Sequence, residues 1–361
     1  RQMCIRDRYQ YLSKQDRAFM TRLVDGTIEY MLQLDYIIDS FSKTKVRKMK
    51  PFIRNLLRMS VYQIKYMDAV PDSAVCNEAV KLAKRHKFAQ LSGFVNGVLR
   101  NIARNIDSVQ FDTLSIRYSM PQWIVDRFVA AYGEKKAEEI FKAFHNKSTI
   151  SIRTNLTRCT PDELRATLEA EGVTVTAVDE LNYAFVISGF DYLNGLQSFR
   201  DGLFYVQDIS SMLVAQTAAP KKGDYVIDVC AAPGGKSTHI AELLQGSGHV
   251  LARDLTDNKV DMIEENIDRH GLNNMSAEVW DATVPDADSA GKADILICDL
   301  PCSGLGVLGR KKDIRYKMTP ESVDELAALQ RQILDTVHTY VKPNGVLVYS
   351  TCTCLLYTSP S

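Results

Sequence analysis

Two cysteines stand where chemistry tends to happen. Pro301-Cys302 follows the apolar stretch ILICD at 295–299, and Thr351-Cys352 follows a second apolar stretch at 346–350. A thiolate is a nucleophile and a metal ligand. If the two stretches are neighbouring strands of one sheet, ~4.8 Å apart, both thiols face one crevice. A buried structural cysteine is the usual alternative. It suits Cys298, inside the strand, better than Cys302 and Cys352, which lie just past strand ends. Zinc fits poorly: Cys-x3-Cys and Cys-x-Cys stand about fifty residues apart with no matching histidine pair. No metal is expected, and Cys354 is given no role.

Carboxylates form a second group. Asp254 and Asp299 end predicted strands and Asp281 follows one, so three acids line the ligand-bearing edge of the sheet. Asp254 comes 24 residues after Cys230, a spacing that suits a carboxylate binding ribose hydroxyls. Between strand and helix at 226–236 runs VIDVCAAPGGK. Its small residues Cys230, Ala231, Ala232, Pro233, Gly234 and Gly235, with Lys236, let a ligand approach the backbone and a helix N-terminus. Gly235-Lys236-Ser237 resembles the end of a Walker A loop, but Cys230 replaces its first glycine, and the dinucleotide pattern also fails. A P-loop NTPase is therefore a rival. The three acids favour an uncharged or cationic ligand, such as the adenosine and sulfonium of S-adenosylmethionine, over a triphosphate.

The elements that must position these groups fall into zones. Residues 9–105 read as helices, with apolar spacing over 18–38, a helix opened by Pro51 over 52–66, another over 74–86 capped by Ser73, and a last one over 91–105. A helical linker over 111–148 follows. Residues 149–205 show a β-α-β-β order, a small α+β module of ferredoxin-like kind. From about 206, strands alternate with helices, which predicts a parallel doubly wound sheet. The first eight residues and the tail 355–361 fit no element and are expected to be non-native.

Zero net charge hides an asymmetry. Residues 1–105 carry 20 Lys and Arg against 9 Asp and Glu, a balance of +11 offset by the remainder. A basic helical third suggests a polyanion-binding module. Lys45, Arg47 and Lys48 are candidate phosphate contacts there, as are Arg310, Lys311 and Arg315 in a glycine-rich basic loop that could form an RNA lid. A solvated surface is the alternative for both groups. The eight scattered cysteines read as free thiols of a cytoplasmic chain. No 18-residue apolar run predicts a membrane span.

DVCAAPGGKSTHI, DLPCSGLGVLGRKKDIRY and LVYSTCT resemble the central motifs of RNA 5-methylcytosine methyltransferases, and the chain from 9 to 353 is similar to their RsmB (Fmu/Sun) branch. The resemblance implies a NusB-like RNA-binding domain over 1–110, a linker over 111–148, an RRM-like segment over 149–205 and a Rossmann-like catalytic domain over 206–361. It implies S-adenosylmethionine as cofactor, 16S ribosomal RNA as partner, no membrane, and a monomer. It assigns the nucleophile to Cys352, product release to Cys302 and base contact to Asp299. Nearby cations, Lys236 among them, are expected to lower the thiol pKa. A non-catalytic RNA-binding antitermination factor remains the rival outside enzymes. Leu300, Lys312 and Arg253 depart from the pattern and are expected to alter packing more than chemistry. The resemblance also implies two more strands after the fifth. Without them the fifth strand is expected to be an exposed edge, in a chain that binds cofactor but methylates poorly and tends to aggregate.

Overall fold

A computed structural model describes residues 11–146 and 149–353. Cys354 and both doubtful ends lie outside the described residues. Two compact units emerge: residues up to Asn146 with Val307–Met318, and the remainder.

The first unit is helical: α1 (Lys14–Glu29), α2 (Met31–Phe41), α3 (Pro51–Tyr66), α4 (Asp72–Arg85), α5 (Ser92–Asn105), α6 (Gln122–Tyr132) and α7 (Glu134–Phe144). Its core joins Leu34, Ile37, Ile53, Leu57, Val95 and Leu99 from three of these helices. The helix expected over 18–38 is broken at Tyr30. That ring stacks on Tyr66 at 4.4 Å, and the Ser119 hydroxyl accepts the freed Leu32 amide at 2.9 Å. Side-chain packing thus outweighs a continuous helical ladder. Ser73 is not the cap of α4; Pro71 takes that position, so the helix begins earlier. The expected linker is two well-formed helices and a short turn within the same unit.

Segment Val307–Met318 also belongs to this unit rather than to the catalytic domain that sequence spacing suggested. Arg315 is fully buried, which corrects its assignment as an RNA contact. Its guanidinium donates to the carbonyls of Glu29, Ser119 and Leu308. Lys312 ion-pairs with buried Glu29, so this departure from the motif has a packing role. The loop is anchored here and is not a free lid, although Arg310 and Lys311 remain exposed.

The second unit holds two sheets. β1 (Ile150–Thr154), α8 (Pro161–Ala170), β2 (Thr174–Val178), β3 (Leu181–Ser188) and β4 (Phe204–Val206) build an antiparallel sheet of order β2-β3-β1-β4. Thr160 and Glu163 form the capping box that starts α8. β4, three residues long, was too short to be expected.

After α9 (Ile209–Ala218) come β5 (Tyr225–Asp228), α10 (Gly235–Leu243), β6 (His249–Asp254), α11 (Asp257–His270), β7 (Met275–Val279), β8 (Ala293–Asp299), α12 (Pro320–Val337) and β9 (Val341–Ser350). The five strands are parallel in the order β7-β6-β5-β8-β9. The order reverses at β5, and open sheets of this kind bind ligands at the carboxyl ends of strands beside that point. No helix among the described residues is long and apolar enough to cross a membrane.

One buried cation ties the two sheets' elements together. Arg153 on β1 ion-pairs with Glu242 of α10, and donates to Gln207 at 2.8 Å and Thr238 at 3.1 Å. Both charged side chains are essentially inaccessible. Arg153→Met would leave Glu242 uncompensated in the interior and is expected to cost about 3–5 kcal/mol. Urea unfolding measures it; a midpoint within error of the wild type would contradict the assignment.

Candidate active site

The apolar strand β5 delivers the chain into the loop 229–234, and Gly234 starts α10 with φ of 99°, a left-handed conformation that favours glycine. A Cβ on Gly235 would lie 3.1 Å from the Tyr205 ring, whose hydroxyl donates to the Pro233 carbonyl at 3.1 Å. The Ala231 amide donates to the Arg253 carbonyl at 2.9 Å. Behind the loop, buried Asp228 accepts the Ser237 hydroxyl at 2.5 Å. Burial pushes its carboxyl up to about 7 despite that bond. Asp228 and Tyr205 brace the loop, and sequence reasoning passed over both; Asp228 was visible as a lone acid inside an otherwise apolar strand.

A cleft of about 270 Å³ opens at the strand ends. Its lining includes Cys230, Ala232, Asp254, Asp281, Asp299, Cys302 and Cys352, so three acids and both cysteines meet there. Ala231, Pro233 and Gly234 lie in the loop, and Gly235 and Lys236 open α10, without lining the cleft. Lys236 reaches it indirectly, through an ion pair with Asp299 at 2.5 Å. Asp254 accepts the amides of Ala232 at 2.9 Å and Leu255 at 2.8 Å, and the Lys259 ammonium at 2.7 Å. A carboxylate offers about four acceptor sites, so one remains for a ligand hydroxyl. Asp281 sits at the exposed rim, where the Thr283 hydroxyl and amide hold its carboxyl below the usual range. Lys259 and Trp280, also in the lining, were missed because neither stands in a recognisable motif.

The cysteines converge because β8 and β9 are adjacent. Asp299 pairs in register with Ser350, and the Leu300 amide donates to the Ser350 carbonyl at 3.2 Å. Beyond the strands, Cys302 Sγ and Cys352 Sγ lie 2.9 Å apart as free thiols, and the Cys352 amide donates to Cys302 Sγ at 3.1 Å. Burial pushes the thiols of Cys76, Cys159, Cys230 and Cys298 up. Cys302 goes the other way, down to about 7, because Cys352 hydrogen-bonds it and the Gly304 and Cys352 amides point at it, against burial and the Asp299 charge. Hydrogen bonds therefore take the role expected of nearby cations, while Lys236 is engaged by Asp299. Cys298 is fully buried, as befits a packing residue.

This arrangement disfavours a phosphate cradle. The lysine and serine of the Walker-like triplet are occupied by Asp299 and Asp228, and the cleft is acidic. Among the described residues no group of side chains could hold a metal ion.

Comparison with known proteins agrees. Residues 215–358 match the family described as 16S rRNA methyltransferase RsmB/F, residues 2–104 match the NusB family, and residues 120–190 match a RsmF/B-like ferredoxin-like domain. The probable ribosomal RNA small subunit methyltransferase B of Bacillus subtilis (strain 168) is 39% identical over 350 residues, 95% of this chain and 78% of that protein. Ribosomal RNA small subunit methyltransferase B of Escherichia coli O1:K1 / APEC is 30% identical, over 96% of this chain and 80% of that protein. In fold, the crystal structure of PH0851 covers 97% of this chain and 80% of its own, with a TM-score of 0.83 at 23% identity. NSun6 from Pyrococcus horikoshii with SFG covers 66% of this chain and 84% of its own, with a TM-score of 0.59 at 24% identity. An acidic cleft at the switch point, helical and ferredoxin-like modules ahead of it, and relatives over nearly the whole chain lead to one conclusion: this protein belongs to the RsmB/F family of S-adenosylmethionine-dependent 16S rRNA methyltransferases.

Proposed function

We propose that the chain methylates carbon 5 of a cytosine in 16S rRNA through a covalent Cys352 intermediate. The observation that carries this is the pair of free thiols 2.9 Å apart in the cofactor cleft. Carbon 5 of cytosine is a poor nucleophile until a thiolate adds to carbon 6, which makes it enamine-like. A second thiol is then useful, because the carbon 5 proton must leave before the first can depart.

The cleft fits S-adenosylmethionine. Asp254 retains one acceptor site for a ribose hydroxyl, and the acids at the strand ends suit a sulfonium and an ammonium. When bound, this molecule supplies an electrophilic methyl group. The protein's own residues do the rest. Cys302, thiolate above about pH 7, takes the Cys352 proton as the Cys352 sulfur bonds to carbon 6. As the sulfur adds, ring nitrogen 3 takes a proton from solvent and the Asp299 carboxylate stabilises it there; that proton returns to solvent when the ring is restored. After methylation Cys302, its proton passed to solvent, removes the carbon 5 proton; the Cys352–carbon 6 bond breaks and the double bond returns. The target base must leave its stack to reach this site.

Bisulfite sequencing of 16S rRNA treated with the protein and S-adenosylmethionine tests the proposal: one newly protected cytosine is the expected result, and methylation at any other atom or base ends it. Asp254→Ala should weaken S-adenosylhomocysteine binding by about 1.5–3 kcal/mol, the worth of a hydrogen bond to a charged group. Calorimetry showing unchanged affinity would remove Asp254 from the site.

RNA recognition falls to the exposed cations of the helical unit. Lys45, Arg47 and Lys48 are all exposed around the turn Val46–Lys48. Replacing the three by Glu should lower rRNA affinity and flatten its salt dependence by roughly three counterions. A salt slope identical to that of the parent would turn this face into a protein-docking surface.

A further inference from the structure

Arg253 precedes the ribose acid and has no place in the chemistry above, yet it is almost entirely buried. Its Nε donates to Glu278 and its Nη2 to Asp286, both at 2.6 Å. Asp286 is itself fixed: it accepts the Ser289 hydroxyl at 2.6 Å and the Asp288 amide at 3.0 Å, and its own amide donates to the Tyr340 hydroxyl at 2.9 Å. The guanidinium held in this way lies 4.9 Å from the ring centroid of Trp280.

Trp280 is thereby fixed at three points. Its amide donates to the Asp254 carbonyl at 3.0 Å, its indole N–H donates to the Val284 carbonyl at 3.0 Å, and the Arg253 cation packs against its ring. Trp280 lines the cofactor cleft together with Asp254 and Leu255. Leu255, just past the ribose acid, presents an apolar side chain that is 56% exposed. A flat, rigid aromatic and an uncovered aliphatic group next to a ribose-binding acid suit a planar base.

We propose that Trp280 is the platform on which the adenine of S-adenosylmethionine stacks, and that Arg253 is the positioning residue that holds it there. The base takes the indole face that the guanidinium leaves free, and Leu255 packs against its edge or opposite face. The proposal rests on the cofactor's identity and not on the cysteine chemistry.

The chain contains two tryptophans, Trp123 and Trp280, and Trp123 belongs to the helical unit. In a Trp123→Phe protein all tryptophan emission therefore comes from Trp280. Titration with S-adenosylhomocysteine, followed in parallel by fluorescence and calorimetry, is expected to quench that emission with the calorimetric Kd. Trp280→Ala should weaken binding about tenfold or more, the worth of one base–aromatic stack; Trp280→Phe, which preserves a ring, should retain most of the affinity. Arg253→Met should weaken binding and quenching in the parent but add nothing in the Trp280→Ala background, as expected for coupled residues. Heat of binding without quenching, together with unchanged affinity in Trp280→Ala, overturns the platform while leaving the cofactor in place. Equal losses from Arg253→Met in both backgrounds overturn the positioning role. Absence of any binding heat in the Trp123→Phe protein overturns the cofactor assignment and the platform with it.

Discussion

Cys302→Ala is expected to trap the protein on its RNA, whereas Cys352→Ala forms no adduct and transfers no methyl group. The two thiols are close enough to share a proton, so their roles follow from their surroundings. Cys302 receives two backbone amides and is the member held as thiolate near neutrality, which suits a base. Cys352 is the more exposed and can reach a base entering the cleft. Without Cys352 no sulfur adds to carbon 6, and turnover should fall by at least ~10⁴, as when other covalent nucleophiles are removed. Without Cys302 the Cys352 proton must pass to solvent, so attack is slower but still occurs; the carbon 5 proton then has no acceptor, and a methylated adduct survives denaturing electrophoresis.

The same assignment fixes the sign of the pH dependence. In the free protein the Cys352 thiol, with the Gly304 and Cys352 amides, lowers the Cys302 pKa to about 7; in the adduct the Cys352 sulfur no longer donates, so release in the parent should rise with pH through a midpoint above that value and level off beyond it. In Cys302→Ala this rising limb should vanish. Adduct on Cys352→Ala instead would exchange the two roles, and adduct on neither variant would argue against covalent catalysis.

Asp299→Ala should reduce single-turnover methylation by about 10²–10⁴, the range for loss of a positioned acid–base group. This carboxylate joins three parts of the site. One oxygen accepts the Lys236 ammonium from the glycine-loop helix at 2.5 Å. The other accepts the Ser350 hydroxyl at 2.8 Å, two residues before Cys352. Removing it frees a partly buried cation and loosens the strand end that carries Cys352, and ~1 Å of misplacement alone can cost ~100-fold. Asp299→Asn separates these contributions. The amide oxygen can still accept from Ser350, but it brings no negative charge to a protonated nitrogen 3. A rate near that of Asp299→Ala supports the charge as the main contribution. A rate within about tenfold of the parent would reduce Asp299 to a brace.

The chemistry of this protein is concentrated in short stretches that the sequence determines by itself. Small residues between an apolar strand and a helix, acids at or just past three strand ends and a cysteine just past two strand ends define a nucleotide-like site in a parallel sheet, because side-chain size and strand periodicity are local properties. The N-terminal helices are legible for the same reason. What the tertiary structure decided depends on partners distant in sequence. Nothing local distinguishes Arg315 from Arg310, yet one is buried against Glu29 and Ser119 while the other is exposed. The break at Tyr30 needs Tyr66 and Ser119, and the depressed thiol of Cys302 needs Cys352, fifty residues away, brought in by the pairing of β8 with β9. Arg253 was visible only as a departure from a motif; its place against Trp280 comes from the registry of β6 with β7 and from a turn that returns Asp286 to it. Burial and pairing of charges are set by which surfaces meet when the chain closes, and no spacing rule along the chain encodes that.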